Sequence, residues 1–380
     1  MIATESRVNL LADLDDPRFA TQPVHEALEA LYARGIRVQR YVRTPERYLS
    51  WIDAQFGGSW SSEAYAGGSY IAEDAKGPLG FATFDPRGLH FRWLRAWATR
   101  HDVGIFGPFG LVPRARKTGL GPVLLQGALF SLRERGYARA LIPAVQSGRL
   151  IKYYERTTGA HVVEALPLHP SGRAYRTAVL ASGNGSNFQA IIDAVREQRL
   201  PLELVSLIAN RTQAYALERA RAAQIPSTIL VWERGVQPRA AYDAAVLEAV
   251  ERAQPDLVLL LGWMHVLPRA FVECFPQTLN LHPAFLPLDL PLETVTMPDG
   301  YVIPAFRGAH AIEDAIAYGS PWFGASVHRL RVEVDRGEIM ARAPLLRAPE
   351  EPVEALVERI HALERQVLVA AIRRWTFEQP

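Results

Sequence analysis

The chain holds one cysteine, Cys274, which excludes an intrachain disulfide and a metal site built from clustered cysteines. An excess of one charge is also missing: 42 Lys and Arg stand against 40 Asp and Glu, a net charge of +2, without a long run of either sign. That balance argues against a nucleic-acid stripe and against a polybasic membrane patch. Long apolar runs are lacking as well, since the longest, Leu257 to Trp263, falls far short of a membrane span. The opening Met-Ile-Ala-Thr-Glu-Ser has no charged segment leading into an apolar one, so no secretory leader and a cytoplasmic location are expected. With no metal expected either, the remaining partner class is a small molecule. At 380 residues the chain suits two domains, each able to bury a core.

In the N-terminal half, apolar spacing predicts helices over Val24 to Arg34 and Tyr48 to Phe56, and a β-hairpin turning at Lys76-Gly77. Chemistry first appears where a strand-like run, Val103 to Val112, enters Pro113-Arg-Ala-Arg-Lys-Thr-Gly-Leu-Gly121 ahead of the helical pattern Pro122 to Arg135. A basic glycine-containing loop that opens a helix offers unpaired backbone N–H groups and the positive end of the helix dipole, which suits a pyrophosphate. The competing reading is a plain strand-to-helix turn that uses glycine for its dihedrals. A strand at Ala140 to Ala144 follows, then Tyr153-Tyr-Glu-Arg-Thr-Thr-Gly-Ala160.

Over roughly residues 20 to 168 this order resembles the GNAT family of N-acetyltransferases, on the strength of Arg116-x-x-Gly119-x-Gly121 and the late Tyr-Tyr-Glu-Arg-Thr-Thr-Gly-Ala. The resemblance implies acetyl-CoA at Arg116, Gly119 and Gly121, and Tyr154 as the group that protonates the leaving thiolate. Packing of an amphipathic tyrosine on the sheet is the alternative for Tyr154. No general base stands out, so an active acetyltransferase and a non-catalytic sensor or scaffold both stay open.

Pro, Ser and Gly concentrate between Leu166 and Arg173, which places a boundary near 170 and divides the chain into domains 1–170 and 171–380. Beyond it, apolar strands and helices alternate from Thr177 to Leu261, the pattern of a doubly wound, mostly parallel α/β sheet. The first strand ends in Ser182-Gly-Asn-Gly-Ser-Asn187. A dinucleotide fingerprint would need a glycine at 188 and an acid at the end of the second strand, where Phe188 and Asn210 stand. The short loop instead suits one phosphate monoester on the N–H groups of Gly185, Ser186 and Asn187, with an unliganded N-cap turn as the alternative. Farther on, Asn280-Leu-His282-Pro283 places an amide and an imidazole on one face of a strand that the proline ends.

Taken in order, Ser-Gly-Asn-Gly-Ser-Asn, Pro-Asp-Leu-Val-Leu-Leu-Leu-Gly-Trp-Met, Leu-Asn-Leu-His-Pro-Ala-Phe-Leu-Pro, Phe306-Arg-Gly-Ala-His310 and Val334-Asp-Arg-Gly337 resemble the phosphoribosylglycinamide formyltransferases over residues 174 to 380. The resemblance implies 10-formyltetrahydrofolate as formyl donor and Asn280, His282 and Asp335 as the catalytic set, with His328 in support. It also implies that Gly185, Ser186 and Asn187 hold the phosphate of glycinamide ribonucleotide, that Glu364 meets its ribose and that Arg239 lies in the substrate cleft. The folate is expected along Leu260 to Val266, touching Met264, His265 and Val266.

Amine attack on a formyl carbon needs donors for a developing oxyanion and an acceptor for the amine proton. An amide, an imidazole and a carboxylate supply these. Alone, Asp335 would read as a turn residue. Two features depart from the family: His265 replaces an arginine, and Leu288 to Ala305 reads as an inserted β-hairpin beside the site. They keep open an amino sugar or another amine as acceptor; a formate-releasing hydrolase is a third reading. Both monomer and homodimer remain open.

Overall fold

A computed structural model describes residues 6–17, 21–167 and 172–379. The boundary expected at 170 lies outside the described residues, between the last strand of one sheet and the first strand of the next.

The N-terminal unit is α+β. Its elements are β1 (Ser6–Asp13), α1 (Thr21–Ala33), β2 (Arg37–Tyr41), α2 (Glu46–Phe56), α3 (Trp60–Tyr65), β3 (Gly68–Asp74), β4 (Gly77–Phe84), β5 (Val103–Leu111), α4 (Leu120–Glu134), β6 (Arg139–Val145), α5 (Gly148–Thr158) and β7 (His161–Pro167). The expected helices and hairpin are present. Strand β1 is the surprise, because it lies between β6 and β7 and runs antiparallel to both in a sheet ordered β2-β3-β4-β5-β6-β1-β7. Its apolar residues Leu10, Leu11 and Ala12 are consecutive, so period-two alternation does not reveal it, and both faces of the strand are covered. Strands β5 and β6 pair in parallel only from Val103 to Ile105.

The C-terminal unit is α/β. It comprises β8 (Tyr175–Ala181), α6 (Ser186–Arg196), β9 (Leu202–Ala209), α7 (Ala216–Ala222), β10 (Ser227–Ile229), α8 (Arg239–Ala253), β11 (Leu257–Leu260), α9 (Arg269–Cys274), β12 (Thr278–His282), β13 (Thr294–Thr296), β14 (Val302–Pro304), α10 (Ala311–Tyr318), β15 (Trp322–Arg329), β16 (Ile339–Leu346) and α11 (Val353–Glu378). The sheet order is β10-β9-β8-β11-β12-β15-β16, parallel through β12 and antiparallel at β15 and β16. Chain order reverses between β8 and β11, the place where such sheets leave a crevice beyond their carboxyl ends.

The inserted segment forms the expected hairpin, β13 paired with β14, and packs on the N-terminal unit. Ser50 Oγ on α2 donates to the Thr296 carbonyl at 2.7 Å, and Arg43 pairs with Asp289 at 2.9 Å. Beside it, Arg342 of β16 is fully buried and bonds Asp53 Oδ2 at 2.8 Å and Glu46 Oε1 at 2.9 Å, both on α2. Leu286, Leu288, Ala305 and Ile339 join the apolar core of the N-terminal unit, so that core extends into the C-terminal unit, whose own sheet is packed by separate clusters.

Candidate functional site

Strands β8, β11 and β12 end around one cleft of about 420 Å³. Asn280 and His282 point into it from β12, as their two-residue spacing requires. His328 stands directly opposite Asn280 on β15, which puts it on the same face. Asp335 arrives from the loop after β15, with a left-handed backbone (φ +52°) of the kind Asp tolerates better than most residues. Two residues on, Gly337 approaches the Arg329 carbonyl so closely that an added Cβ would lie 1.6 Å from it, so only glycine closes this loop.

Asp335 is the hub. Its Oδ1 lies 3.3 Å from both Asn280 Nδ2 and His328 Nε2, and its Oδ2 accepts from the Gly308 N–H at 2.8 Å and sits 3.4 Å from His282 Nδ1. Burial pushes this carboxyl up, but His328, His282 and the Gly308 N–H outweigh it and hold the group well below the usual carboxylate range. Asp335 is therefore charged at neutral pH.

A carboxylate can only accept, so the Asn280 amide turns its NH₂ toward Asp335 and reaches His328 Nε2 at 3.2 Å. His328 Nδ1 lies 2.9 Å from the Arg329 carbonyl, and its Nε2 faces both the Asn280 amide and the Asp335 carboxylate. The Asn280 N–H groups are thus directed at protein partners over long bonds, the kind that shorten onto a better acceptor when substrate binds. His282 Nε2 donates to the Phe306 carbonyl at 2.7 Å. Burial lowers the affinity of His282 for a second proton more than Asp335 raises it, so the ring is neutral at pH 7.

The far end of the cleft is the expected anion loop. Gly185 adopts φ +72° and caps α6, where an added Cβ would fall 2.8 Å from Ala216 Cβ. The first N–H groups of α6 have no partner within the helix and face the cleft together with Ser186 and Asn187. Asn187 Nδ2 donates to Glu364 Oε2 at 3.0 Å, while Asn187 Oδ1 is buried without a partner. Burial raises the Glu364 carboxyl against the pull of the Asn187 bond.

Met264, His265 and Val266 line the cleft from the loop after β11, where Met264 is 50% and Val266 63% exposed; Val332 and Val334 are exposed beside it. Apolar side chains held open to solvent around a polar floor suit a flat, partly apolar ligand. His265 packs edge-on against Trp232, Tyr242 and Trp263 and contacts the Tyr242 hydroxyl at 3.0 Å. Burial, followed by Arg239, keeps its ring neutral, so this position brings no charge. Arg239 itself does not line the cleft: it pairs with Asp243 at 2.7 Å and bonds the Val266 carbonyl, bracing the loop from behind.

The structure thus brings Asn280, His282, Asp335, Gly185, Ser186, Asn187, Glu364, Met264, His265 and Val266 to one cleft and leaves Arg239 behind its wall. Sequence reasoning missed His361, which lines the cleft one helical turn before Glu364 on α11, a spacing that could have found it. It singled out Phe306-Arg-Gly-Ala-His310 but assigned no role to the Gly308 N–H or the Phe306 carbonyl, since a backbone group's partner leaves no residue-type signal. A hollow of about 750 Å³ between α6 and α11 is larger but holds no such set of groups. Among the described residues no cluster of His, Cys, Asp or Glu could hold a metal ion, and no helix is long and apolar enough to cross a membrane.

In the N-terminal unit, Arg116 follows a single 3₁₀ turn and Gly119 (φ +87°) caps α4. Gly121 lies against Tyr153, whose hydroxyl would be 3.5 Å from an added Cβ. The expected proton donor, Tyr154, is buried edge-on to Phe106, and burial pushes its phenol up. The more exposed Tyr153 shares a hollow of about 640 Å³ with Arg149, Lys152 and Arg156.

Residues 175–288 and 300–372 match the family described as formyl transferase. The unmatched 289–299 falls within the hairpin insertion. Phosphoribosylglycinamide formyltransferase of Schizosaccharomyces pombe is 38% identical over 214 residues, covering 52% of this chain and 94% of that protein. Its counterpart from Mycobacterium tuberculosis is 36% identical over 210 residues, covering 55% of this chain and 88% of that protein. A crystal structure of glycinamide ribonucleotide transformylase 1 from Symbiobacterium toebii shares 34% identity at a TM-score of 0.47, covering 54% of this chain and 89% of that one.

Proposed function

The chain belongs to the formyl transferase family, and on that premise we propose that it transfers a formyl group from 10-formyltetrahydrofolate to the amine of glycinamide ribonucleotide, a step of purine biosynthesis. The observation that carries this reading is the convergence in one cleft of Asn280, His282 and Asp335 at one end and the Gly185 to Asn187 loop with Glu364 at the other. The bound donor supplies the electrophilic carbon; the apolar rim of Met264, Val266, Val332 and Val334 suits its ring system. Asn280 offers N–H groups where an oxyanion develops, and His282 once protonated adds positive charge beside it. Charged Asp335 relays the amine proton, directly or through a water, to His282 and stabilises the imidazolium so formed; the proton then leaves on the donor's departing nitrogen as tetrahydrofolate is released.

A steady-state assay with both substrates tests the reading, and no turnover at high enzyme concentration would sink it. Transfer to an amino sugar or another amine is the competing reading. Substitution of Ser186 and Asn187 separates the two, because the KM of a phosphate-bearing acceptor rises while that of an acceptor without phosphate does not. The neutral His265 favours a donor whose acidic tail is met elsewhere than at this position.

For the N-terminal unit we propose an acetyl-CoA site at Arg116, Gly119 and Gly121. The left-handed Gly119 at the start of α4 and the hollow beside Arg149, Lys152 and Arg156 support it. Calorimetric titration with acetyl-CoA tests it, and Tyr154→Phe against Tyr153→Phe separates a chemical role from scaffolding. The partners of both sites are small-molecule amines.

A further inference from the structure

Glu293 is an exposed residue of the hairpin insertion, outside the segments that match the formyl transferase family. Its carboxylate engages two guanidinium groups: Oε2 accepts from Arg307 Nη1 at 2.7 Å, and Oε1 from Arg336 Nη2. Both arginines flank the hub of the candidate site. Arg307 Nε reaches the Asp335 carbonyl at 3.3 Å, and Arg336 follows Asp335 in the chain. Backbone carbonyls of the insertion complete the contact, with Leu292 accepting from Arg307 at 3.0 Å and Leu290 from Arg336 at 3.1 Å.

We propose that Glu293 is a positioning residue: by holding Arg307 and Arg336 together it fixes the loop that presents Asp335 to His282. A single exposed ion pair contributes little. Here the carboxylate also separates two like charges, and without it the repulsion between Arg307 and Arg336 is offset only by Asp335 and backbone carbonyls. The loop they hold includes a left-handed Asp335, a conformation that persists only while its surroundings over-determine it. The insertion is itself tied to the N-terminal unit, to α2 through Ser50 and Thr296 and to the segment before α2 through Arg43 and Asp289, so the N-terminal unit supports the formyl-transfer cleft mechanically.

The proposal rests on the reading of Asn280, His282 and Asp335 as the reacting set, and its test has one arm independent of turnover. In the full chain, Glu293→Gln keeps the side-chain volume and removes the charge. The imidazole of His282 faces Asp335, His328, Arg307 and the Phe306 carbonyl, and Asp335 alone among the charged groups raises its proton affinity. A displaced Asp335 therefore lowers the His282 titration midpoint, read by NMR of labelled histidine. We expect that downward shift, a fall of about tenfold in kcat and an acceptor KM within about twofold of the parent, at an unchanged unfolding midpoint. Glu293→Asp, which keeps the carboxylate, recovers part of both effects. An unchanged His282 titration in Glu293→Gln overturns the clamp whatever the activity. A parent protein that fails to formylate glycinamide ribonucleotide overturns the proposed substrate and leaves the titration arm decisive.

Discussion

Arg342 Nε lies 2.8 Å from Asp53 Oδ2, and neither side chain is exposed to solvent. The pair joins strand β16 of the C-terminal sheet to helix α2 of the N-terminal unit. Complete burial pushes the Asp53 carboxyl up to about 7 despite the attraction of Arg342. Breaking such a pair strands a charge in an apolar interior. Arg342→Ala is expected to destabilise the chain by about 3–5 kcal/mol, whereas Arg342→Met combined with Asp53→Leu recovers most of the loss. Denaturant unfolding of the two variants beside the parent measures both.

Asp335→Asn keeps the shape of the hub and removes its charge. Formyl transfer is expected to fall by about 10²- to 10⁴-fold in kcat, and His282→Ala by a similar factor, with circular dichroism unchanged. Any acetyl transfer by the N-terminal unit survives both substitutions. Loss of both activities in a folded variant would contradict two separate sites.

The pH dependence has a definite sign. His282 is held below its ordinary value of about 6.5, and Asp335 far below the carboxylate range. Charged Asp335 with neutral His282 is thus the resting form from neutrality down to a pH below 6.5. The acid limb of kcat/KM falls there, as an apparent value of the coupled pair, and moves to still lower pH in Asp335→Asn because the carboxylate that favours the imidazolium is gone. Between the folded and unfolded values of His282 the unfolded chain binds more protons, so its contribution to stability rises with pH across that window and is lost on acidification.

Gly185→Ala would force a side chain into a left-handed position with Ala216 Cβ only 2.8 Å away. The loop must shift and its N–H groups lose their common aim. The KM for a phosphate-bearing acceptor is expected to rise at least about tenfold while kcat changes far less, in steady-state kinetics. A KM equal to that of the parent would remove the phosphate from this loop.

Much of the C-terminal sheet was legible because its strands are short apolar runs between periodic helices. Asn280 and His282 were legible as a pair because a spacing of two on a strand end fixes a shared face. Asp335 was not legible alone, since its role depends on a left-handed turn and on four partners, three of them distant in sequence. Arg239 has the residue type and helix position of a cleft residue, yet its side chain is drawn to Asp243 and the Val266 carbonyl. Strand β1 escaped notice because it is covered on both faces, and Arg342 and Glu293 because an arginine on an edge strand and an acid in a hairpin read as solvated charges until the other unit is in place.

Strand β1 has a consequence for biosynthesis. Both of its neighbours come from far along the chain, with Leu10 opposite Ile142 and Val162, so more than a hundred residues must be made before its backbone groups find partners. On the ribosome this apolar segment waits unpaired while the rest of the N-terminal sheet assembles, which favours late closure of the sheet and invites chaperone capture of the nascent chain. Until β7 is added, β1 has a single neighbour and an open edge that can pair with another chain.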